Sequence, residues 1–115
     1  MHWYELKDSS EAESPSLLVY PDRIQYNAEL MCQIAKDSSR LRPHIKTHKM
    51  AEIIKIQLGL GISKFKCATL SEAALLGMCG AKDILLAMQP VGIQIKKFLN
   101  LSESNVKSIN ICASS

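Results

Sequence analysis

Short apolar segments alternate with amphipathic segments along most of this 115-residue chain, and this alternation most limits the fold it can adopt. We predict strands over residues 40–46, 64–68, 83–88 and 106–113. Between them, apolar residues recur at helical spacing and the connections are short. Strand–helix–strand repeats of this kind build parallel sheets through right-handed crossovers. The sequence therefore predicts an α/β fold, either a doubly wound sheet or part of a (β/α)₈ (TIM) barrel.

The start of the chain differs from the rest in composition. Most of residues 1–15 are polar, and we expect them to form a flexible lead-in to one domain over residues 16–115. The apolar residues 17–20 predict an additional short strand. Pro21 then opens a helix, for which Asp22 is the expected N-cap.

Helix ends carry their own signals. The second predicted helix should end at Gly59 and Gly61, because glycine accepts left-handed backbone at little cost. Thr69 and Glu72 form the T-x-x-E pattern of a capping box at the start of the next helix. Gly80 is expected to close that helix.

The length of the chain sets a limit on the barrel interpretation. A complete (β/α)₈ barrel needs roughly 250 residues. The last predicted strand is followed by no helix that could cover it. We therefore expect the chain to be the amino-terminal part of a larger protein, containing about the first half of a truncated barrel.

Composition argues against several classes of function. The net charge is only +3 and aromatic residues make up 5% of the chain, without the aromatic–basic interleaving of nucleic-acid-binding proteins. No apolar run approaches the ~20 residues that span a bilayer, and no secretion signal is present at the start. The cysteines form no C-x-x-C pair, which favours buried free thiols in a reducing cytoplasm. They are Cys32, Cys67, Cys79 and Cys112.

The most basic part of the chain is residues 42–49, which read R-P-H-I-K-T-H-K. On an extended strand, alternate side chains of this segment would share one face. These are Arg42, His44, Lys46 and His48. A lysine among other cations has its ammonium form disfavoured, which makes it a better amine nucleophile for a Schiff base. The same residues also fit a solvated basic strand or an anion-binding loop.

Position along the predicted strands separates the candidates further. Ligands bind at the carboxyl ends of parallel strands, where Lys46 and Gln89 are expected. Arg42 lies nearer the start of its strand, which favours a structural role. Lys64 and Lys66 are expected to be surface or strand-end charges.

A metal site formed by His44 and His48 is disfavoured by their spacing. Four residues of strand span about 13 Å, whereas metal–nitrogen bonds are close to ~2 Å. The two imidazoles could instead tune Lys46 or bind a phosphate.

The segment 42–49 also resembles the R-P-H-x-K-T-H-K motif of the D-threonine aldolase and eukaryotic-type D-serine dehydratase family. Enzymes of that family use pyridoxal phosphate on an alanine-racemase-like barrel. The similarity covers nearly the whole chain from about residue 15. It extends through residues 16–24, 61–69, 71–73, 83–87 and 89–92.

The resemblance implies roles for individual residues. Lys46 would form a Schiff base with pyridoxal phosphate, and His44, Thr47 and Gln89 would contact the cofactor. The family also uses a divalent metal, zinc or manganese, held by a His-x-Cys or His-x-Asp pair near the carboxyl terminus of the full protein. Neither pair occurs in this chain, so no metal ligand is assigned here.

The resemblance further implies a cytoplasmic, homodimeric lyase that acts on a small D-3-hydroxy amino acid. The favoured reaction is that of a D-threonine aldolase, which releases glycine and acetaldehyde. A D-serine dehydratase, which releases pyruvate and ammonia, is an alternative. An alanine-racemase-like enzyme and an inactive truncated fragment also stay open.

Overall fold

A computed structural model describes residues 2–104 and 109–111 of the chain. These residues form helices, strands and one short 3₁₀ turn at Ser38–Arg40. The helices are α1 (Pro21–Ala35), α2 (Ala51–Gly59), α3 (Leu70–Cys79) and α4 (Ile93–Glu103). The strands are β1 (Lys64–Cys67), β2 (Asp83–Leu86) and β3 (Ile109–Ile111).

The described strands form one parallel sheet in the order β1-β2-β3. Phe65, Ile84 and Ile109 lie opposite one another across it. Helix α3 connects β1 to β2, and α4 connects β2 to β3. The predicted α/β fold with a parallel sheet is therefore confirmed, because each parallel pair is joined by a helical crossover.

The hydrophobic core lies between the sheet and helices α2 and α3. Phe65 and Ile84 from the strands and Ile54 and Leu76 from the helices are fully buried in it. Fully burying a side chain of this size contributes about 1.5–3 kcal/mol. The helices therefore fix the position of β1 and β2, and with it the position of the loops at their ends.

The predicted caps of α3 are confirmed. The Thr69 hydroxyl accepts a hydrogen bond from the backbone N–H of Glu72 at 3.1 Å. At the other end, Gly80 is left-handed with φ of 92°. Gly61, which follows α2, likewise has a positive φ of 90°. Local sequence signals therefore mark both ends of α3 and the end of α2, where the Gly61 carbonyl also accepts a hydrogen bond from the Ser38 hydroxyl at 3.1 Å.

The predicted N-cap of α1 is wrong by two positions. Tyr20 is the N-cap, Pro21 occupies the first helical position and Asp22 lies inside the first turn. Proline is favoured at the first position because its ring presets the helical φ and that position needs no N–H partner. Asp22 is still well placed, since a carboxylate near a helix start interacts favourably with the helix dipole.

The strand predicted over residues 17–20 is absent from the described structure. The segment has no regular structure, and Leu17 and Leu18 are 61% and 46% exposed. A strand is stabilised by pairing with a neighbour, and none of the described strands pairs with this one. An apolar run alone therefore did not suffice to form a strand here.

The strand predicted over residues 40–46 is reduced to one parallel bridge between His44 and Lys66. The residues before it form the 3₁₀ turn, capped by the Asp37 carboxylate, which accepts from Ser39 N–H at 3.0 Å. Pro43 has no N–H with which to extend the ladder. The remaining sheet pairing is thus limited to the backbone on either side of His44.

The two ends of the chain are described in part. Near the amino terminus, Arg23 lies over the ring of Trp3, with its Cζ 3.4 Å from the ring centroid. The flexible lead-in over residues 1–15 stays a prediction. At the other end, β3 lies within the strand predicted over 106–113, whereas Cys112 lies outside the described residues.

Candidate functional site

Lys46 lies in a tight turn directly after the bridge residue His44. The carbonyl of Ile45 accepts hydrogen bonds from His48 N–H at 3.3 Å and from Lys49 N–H at 2.9 Å, which closes the turn. The extended backbone therefore ends at Ile45. The prediction that Arg42, His44, Lys46 and His48 share one face of a strand is wrong, because the alternation of side chains stops at this turn.

The backbone that leads into this turn is firmly anchored. Ile45 is fully buried, and its N–H donates to the carbonyl of Lys66 at 3.0 Å. The N–H of Lys66 donates in return to the carbonyl of Pro43 at 2.9 Å. The Lys46 side chain itself is exposed in this chain. An exposed side chain is thus attached to a backbone that hydrogen bonds hold in place.

This turn lies at the carboxyl end of the sheet. His44 pairs with Lys66, one residue before β1 ends at Cys67. The carbonyl of Cys67 accepts from Ala87 N–H at 2.8 Å, where β2 also ends. Lys46 therefore lies beside the loops that follow β1 and β2, the edge where parallel α/β folds bind ligands.

Arg42 is a structural residue, as its position near the strand start predicts. Its Nη1 donates to the Asp83 carboxylate at 2.8 Å and to the carbonyl of Phe65 at 3.1 Å. The hydrogen bond from Arg42 holds the pKa of Asp83 below its usual range, and the carboxylate raises the pKa of Arg42. The guanidinium thereby ties the basic segment to β1 and β2 at once.

The surroundings of His44, beside Lys46, favour its neutral form. Its Nδ1 accepts a hydrogen bond from the backbone N–H of Lys46 at 3.2 Å. Burial lowers the pKa of His44, the charges of Lys46 and Lys66 lower it further, and Glu72 opposes them. A ring whose Nδ1 accepts carries its proton on Nε2. His44 therefore fixes the local backbone and presents Nε2–H as a donor.

His48 is constrained in the same way. Its Nδ1 accepts from the backbone N–H of Met50 at 3.0 Å, which caps the start of α2. Burial lowers the pKa of His48, and the Glu72 charge opposes this. Since both rings use Nδ1 for the backbone, they serve local structure first. Among residues 2–104 and 109–111, no group of three or more His, Cys, Asp or Glu side chains could hold a metal ion.

Residues in register with His44 form a row across the face of the sheet that is opposite the buried one. Lys66 pairs with His44 and with Leu85, and Leu85 pairs with Asn110. None of these four side chains is buried, whereas their neighbours Phe65 and Ile84 are. We call His44, Lys66, Leu85 and Asn110 the open-face row.

The position of Lys66 beside His44 was not anticipated from the sequence. This lysine was expected to be a surface or strand-end charge, yet it lies in the open-face row and its charge acts on His44. The alternation of lysines with Phe65 and Cys67 along β1 is the signal that could have found it, since alternate residues of a strand share a face.

Thr47 and Gln89 lie on two different segments of the described structure. Thr47 is exposed and lines a cleft of about 280 Å³ together with His48, Arg23 and Asn27. Gln89 follows β2 in the loop before α4. Both lie after strands or strand-like segments, but Lys46 does not line the Thr47 cleft.

Cys67 lacks the features of a nucleophile. Cys32, Cys67 and Cys79 are free, and Cys67 is fully buried at the end of β1. Burial, reinforced by the Glu72 charge, raises the pKa of Cys67 to about 12. Its thiol is therefore neutral at physiological pH and packs in the core.

Comparison with known proteins adds to this geometry. Residues 19–109 match the family described as alanine racemase, N-terminal domain. This chain belongs to that family. The match spans every candidate residue of the site, from His44 to Gln89. It includes strands β1 and β2 and the turn that carries Lys46.

Three individual proteins are also similar to the chain. D-threo-3-hydroxyaspartate dehydratase from Delftia sp. is 31% identical over 77% of this chain. D-threonine aldolase from Arthrobacter sp. is 32% identical over 90% of it, and 3-hydroxy-D-aspartate aldolase from Paracoccus denitrificans is 36% identical over 69%. The resemblance to D-threonine aldolases drawn from residues 42–49 is thereby confirmed.

The chain covers 24%, 27% and 21% of the lengths of these three relatives, or about a quarter. No solved structure matches it significantly. Within the described part of the chain, no helix is long and apolar enough to cross a membrane.

Proposed function

We propose that this member of the alanine racemase N-terminal family is the first part of a pyridoxal-phosphate lyase that acts on D-3-hydroxy amino acids. The observation that carries the proposal is the place of Lys46. It lies in an anchored turn at the carboxyl end of a parallel sheet, inside the region shared with the family. The names of the relatives support the substrate class, since each acts on a D-amino acid with a hydroxyl at Cβ.

The residues present fit an aldehyde cofactor. An exposed primary amine extends from a backbone that hydrogen bonds hold in place. The imidazole beside it is neutral, so it can donate from Nε2 without adding a second positive charge. When bound, pyridoxal phosphate withdraws electrons from the substrate Cα, which weakens the bonds to hydrogen and to Cβ.

We assign Lys46 as the residue that attaches the cofactor through its amine. His44 would orient the cofactor through Nε2–H, and the Thr47 hydroxyl and the Gln89 amide would complete its contacts. In the dehydration alternative, Lys46 would also hold the proton removed at the substrate Cα. In aldol cleavage the β-hydroxyl would lose its proton as the Cα–Cβ bond breaks. Arg42 acts only through the backbone, by keeping the turn at the end of the sheet.

We further propose that residues 16–115 belong to a (β/α)₈ barrel that the longer protein completes. In such a barrel the open-face row would point to the interior, which explains polar His44, Lys66 and Asn110 on one face. We propose a cytoplasmic homodimer, and zinc or manganese held by residues of the longer protein.

Among the reactions of the relatives, we favour aldol cleavage of D-threonine. Two of the three relatives described above are aldolases, and the third is a dehydratase. Dehydration of D-serine is the alternative, because both reactions need the same cofactor and the same lysine. The residues of this chain do not distinguish the Cα–Cβ bond from the Cβ–oxygen bond as the bond that breaks.

The test is to incubate the longer protein with pyridoxal phosphate, manganese and D-threonine, and to measure acetaldehyde. We expect acetaldehyde from the unmodified protein and from Lys55→Ala, an exposed lysine on α2, and none from Lys46→Ala. Pyruvate from D-serine without acetaldehyde from D-threonine would overturn the aldolase preference. A Lys46→Ala protein that stays yellow and active would overturn the proposal itself.

A further inference from the structure

Two layers of side chains lie on the face of the sheet that carries the open-face row, and they differ in their charges. The layer nearer the amino ends of the strands holds Lys64 and Asp83, which are partners in the register of β1 and β2. Arg42 joins this layer through its ion pair with the Asp83 carboxylate at 2.8 Å. This first layer therefore contains charges of both signs.

The open-face row, which is the layer nearer the carboxyl ends, holds a cation without a carboxylate. Within the described part of the chain, the ammonium of Lys66 takes part in no ion pair. Its neighbours in the row contribute an imidazole, an alkyl group and an amide. The buried carboxylate of Glu72 is already used by the Ala68 N–H and the Thr69 hydroxyl. The charge of Lys66 is therefore not balanced as that of the first layer is.

The backbone places Lys66 beside the segment that carries the proposed cofactor lysine. Lys66 forms a bridge with His44, and its carbonyl accepts from Ile45 N–H at 3.0 Å, directly before Lys46. In the completed barrel this face of the sheet would be interior, where an ammonium without an opposite charge is costly to remove from water. We therefore expect an anion beside Lys66 when the site is filled.

We propose that Lys66 is a specificity-determining residue that binds a carboxylate on the substrate side chain, so that the site accepts an acidic D-3-hydroxy amino acid as well as D-threonine. This role rests on the proposed function, because it needs Lys46 to hold the substrate beside the open-face row. The cofactor phosphate is the less suitable anion, since barrels of this type commonly bind phosphate at the loops after the seventh and eighth strands.

The experiment compares two ligands of nearly equal size that differ in one charge, D-aspartate and D-asparagine. Neither can undergo aldol cleavage or dehydration, because both lack a hydroxyl at Cβ. Their binding to the longer protein loaded with pyridoxal phosphate is measured by calorimetry. We expect the unmodified protein to bind D-aspartate at least about tenfold more tightly, since a hydrogen bond between charged groups is among the stronger ones. Lys66→Met should lose this preference.

Lys64→Met is the matched control, because Lys64 lies on the same face of β1 but in the layer that contains Asp83. It should keep the preference for D-aspartate. Lys66→Gln serves as the neutral variant where Lys66→Met does not fold. A preference that survives in either neutral variant of Lys66 would overturn the proposal.

Two other results would also overturn it. One is equal affinity of the unmodified protein for the two ligands. The other is an equal loss of affinity for both in Lys66→Met, which would assign Lys66 to the carboxylate that all amino acids share. Failure of the proposed function is a separate result, because reduction with borohydride would then leave no pyridoxyl group on Lys46.

Discussion

The unit formed by β1, α3 and β2 differs from residues 16–50 that precede it, although both began as similar apolar patterns in the sequence. In the β1–α3–β2 unit, the observed helix caps, strand pairing and buried positions all match the sequence pattern. In residues 16–50, the predicted strands are replaced by an unpaired segment at residues 17–20 and a single bridge at His44. Local signals specify a helix, whereas a strand also needs its partner. The proposed cofactor lysine lies in the less regular region, and the regular one positions it.

The largest difference between the regions should appear on truncating one apolar side chain in each. Phe65 is fully buried on β1, whereas Leu17 is 61% exposed. We expect Phe65→Ala to lower the free energy of unfolding by about 3–5 kcal/mol, and Leu17→Ala to change it by less than about 0.5 kcal/mol. Urea denaturation followed by circular dichroism measures both. Similar losses at the two positions would show that residues 17–20 are packed after all.

Arg42 joins the two regions, so its removal should have the next largest effect. Arg42→Ala leaves the Asp83 carboxylate and the Phe65 carbonyl without this donor. Both charged side chains are about one-third exposed, so solvent screens part of the loss. We expect a decrease of about 1–2 kcal/mol in the free energy of unfolding. Lys55→Ala, at an exposed position on α2, is the control, and an equal loss there would argue against a specific role for Arg42.

Helix ends offer a finer comparison. The residue that caps the carboxyl end of α3 is Gly80, with φ of 92°, whereas the corresponding residue of α1 is Lys36, with φ of 66°. We expect Gly80→Ala to cost about 1 kcal/mol and Lys36→Gly to gain about 0.5 kcal/mol, because left-handed backbone is unfavourable for residues with a Cβ. Nothing lies within 4 Å of a Cβ at Gly80, so the cost is conformational. Thermal unfolding of both variants measures this, and a loss on Lys36→Gly would contradict it.

The smallest expected effect is on the stability of the fold at low pH. The pKa of Asp83 is lowered from an ordinary value of 3.8 by its hydrogen bond to Arg42. A carboxylate with a lowered pKa stabilises the fold above the unfolded-state pKa, and the contribution is lost as pH falls through the folded-state pKa. The stability advantage of the unmodified chain over Asp83→Asn should therefore hold at pH 6 and shrink below about pH 4. An advantage that grows on acidification would reverse this sign.

The sequence predicted the helices well, because the signals for helix ends are local, and the alternation of strands with helices predicted the parallel pairing. The T-x-x-E pattern at Thr69 and the glycine at position 80 are examples of the local signals. The sequence could not show that the strand before Lys46 would end at Ile45. That outcome depends on the hydrogen bonds from His48 N–H and Lys49 N–H to the Ile45 carbonyl, and on the bond from Lys46 N–H to the His44 ring.

The site was predicted in part for the same reason. The motif over residues 42–49 predicts Lys46 as the cofactor lysine, which stays a prediction, and the structure places this lysine in a turn at the carboxyl end of the sheet. The place of Lys66 beside His44 was not predicted, because it depends on the register of segments that are distant in sequence.

One measurement tests the central claim most directly, that the amine of Lys46 binds an aldehyde cofactor. The longer protein is saturated with pyridoxal phosphate, reduced with borohydride and digested, and the peptides are identified by mass spectrometry. The account predicts a pyridoxyl group on Lys46 and unmodified peptides at Lys49 and Lys66. Labelling of another lysine, or of none, while Lys46 stays unmodified would contradict it.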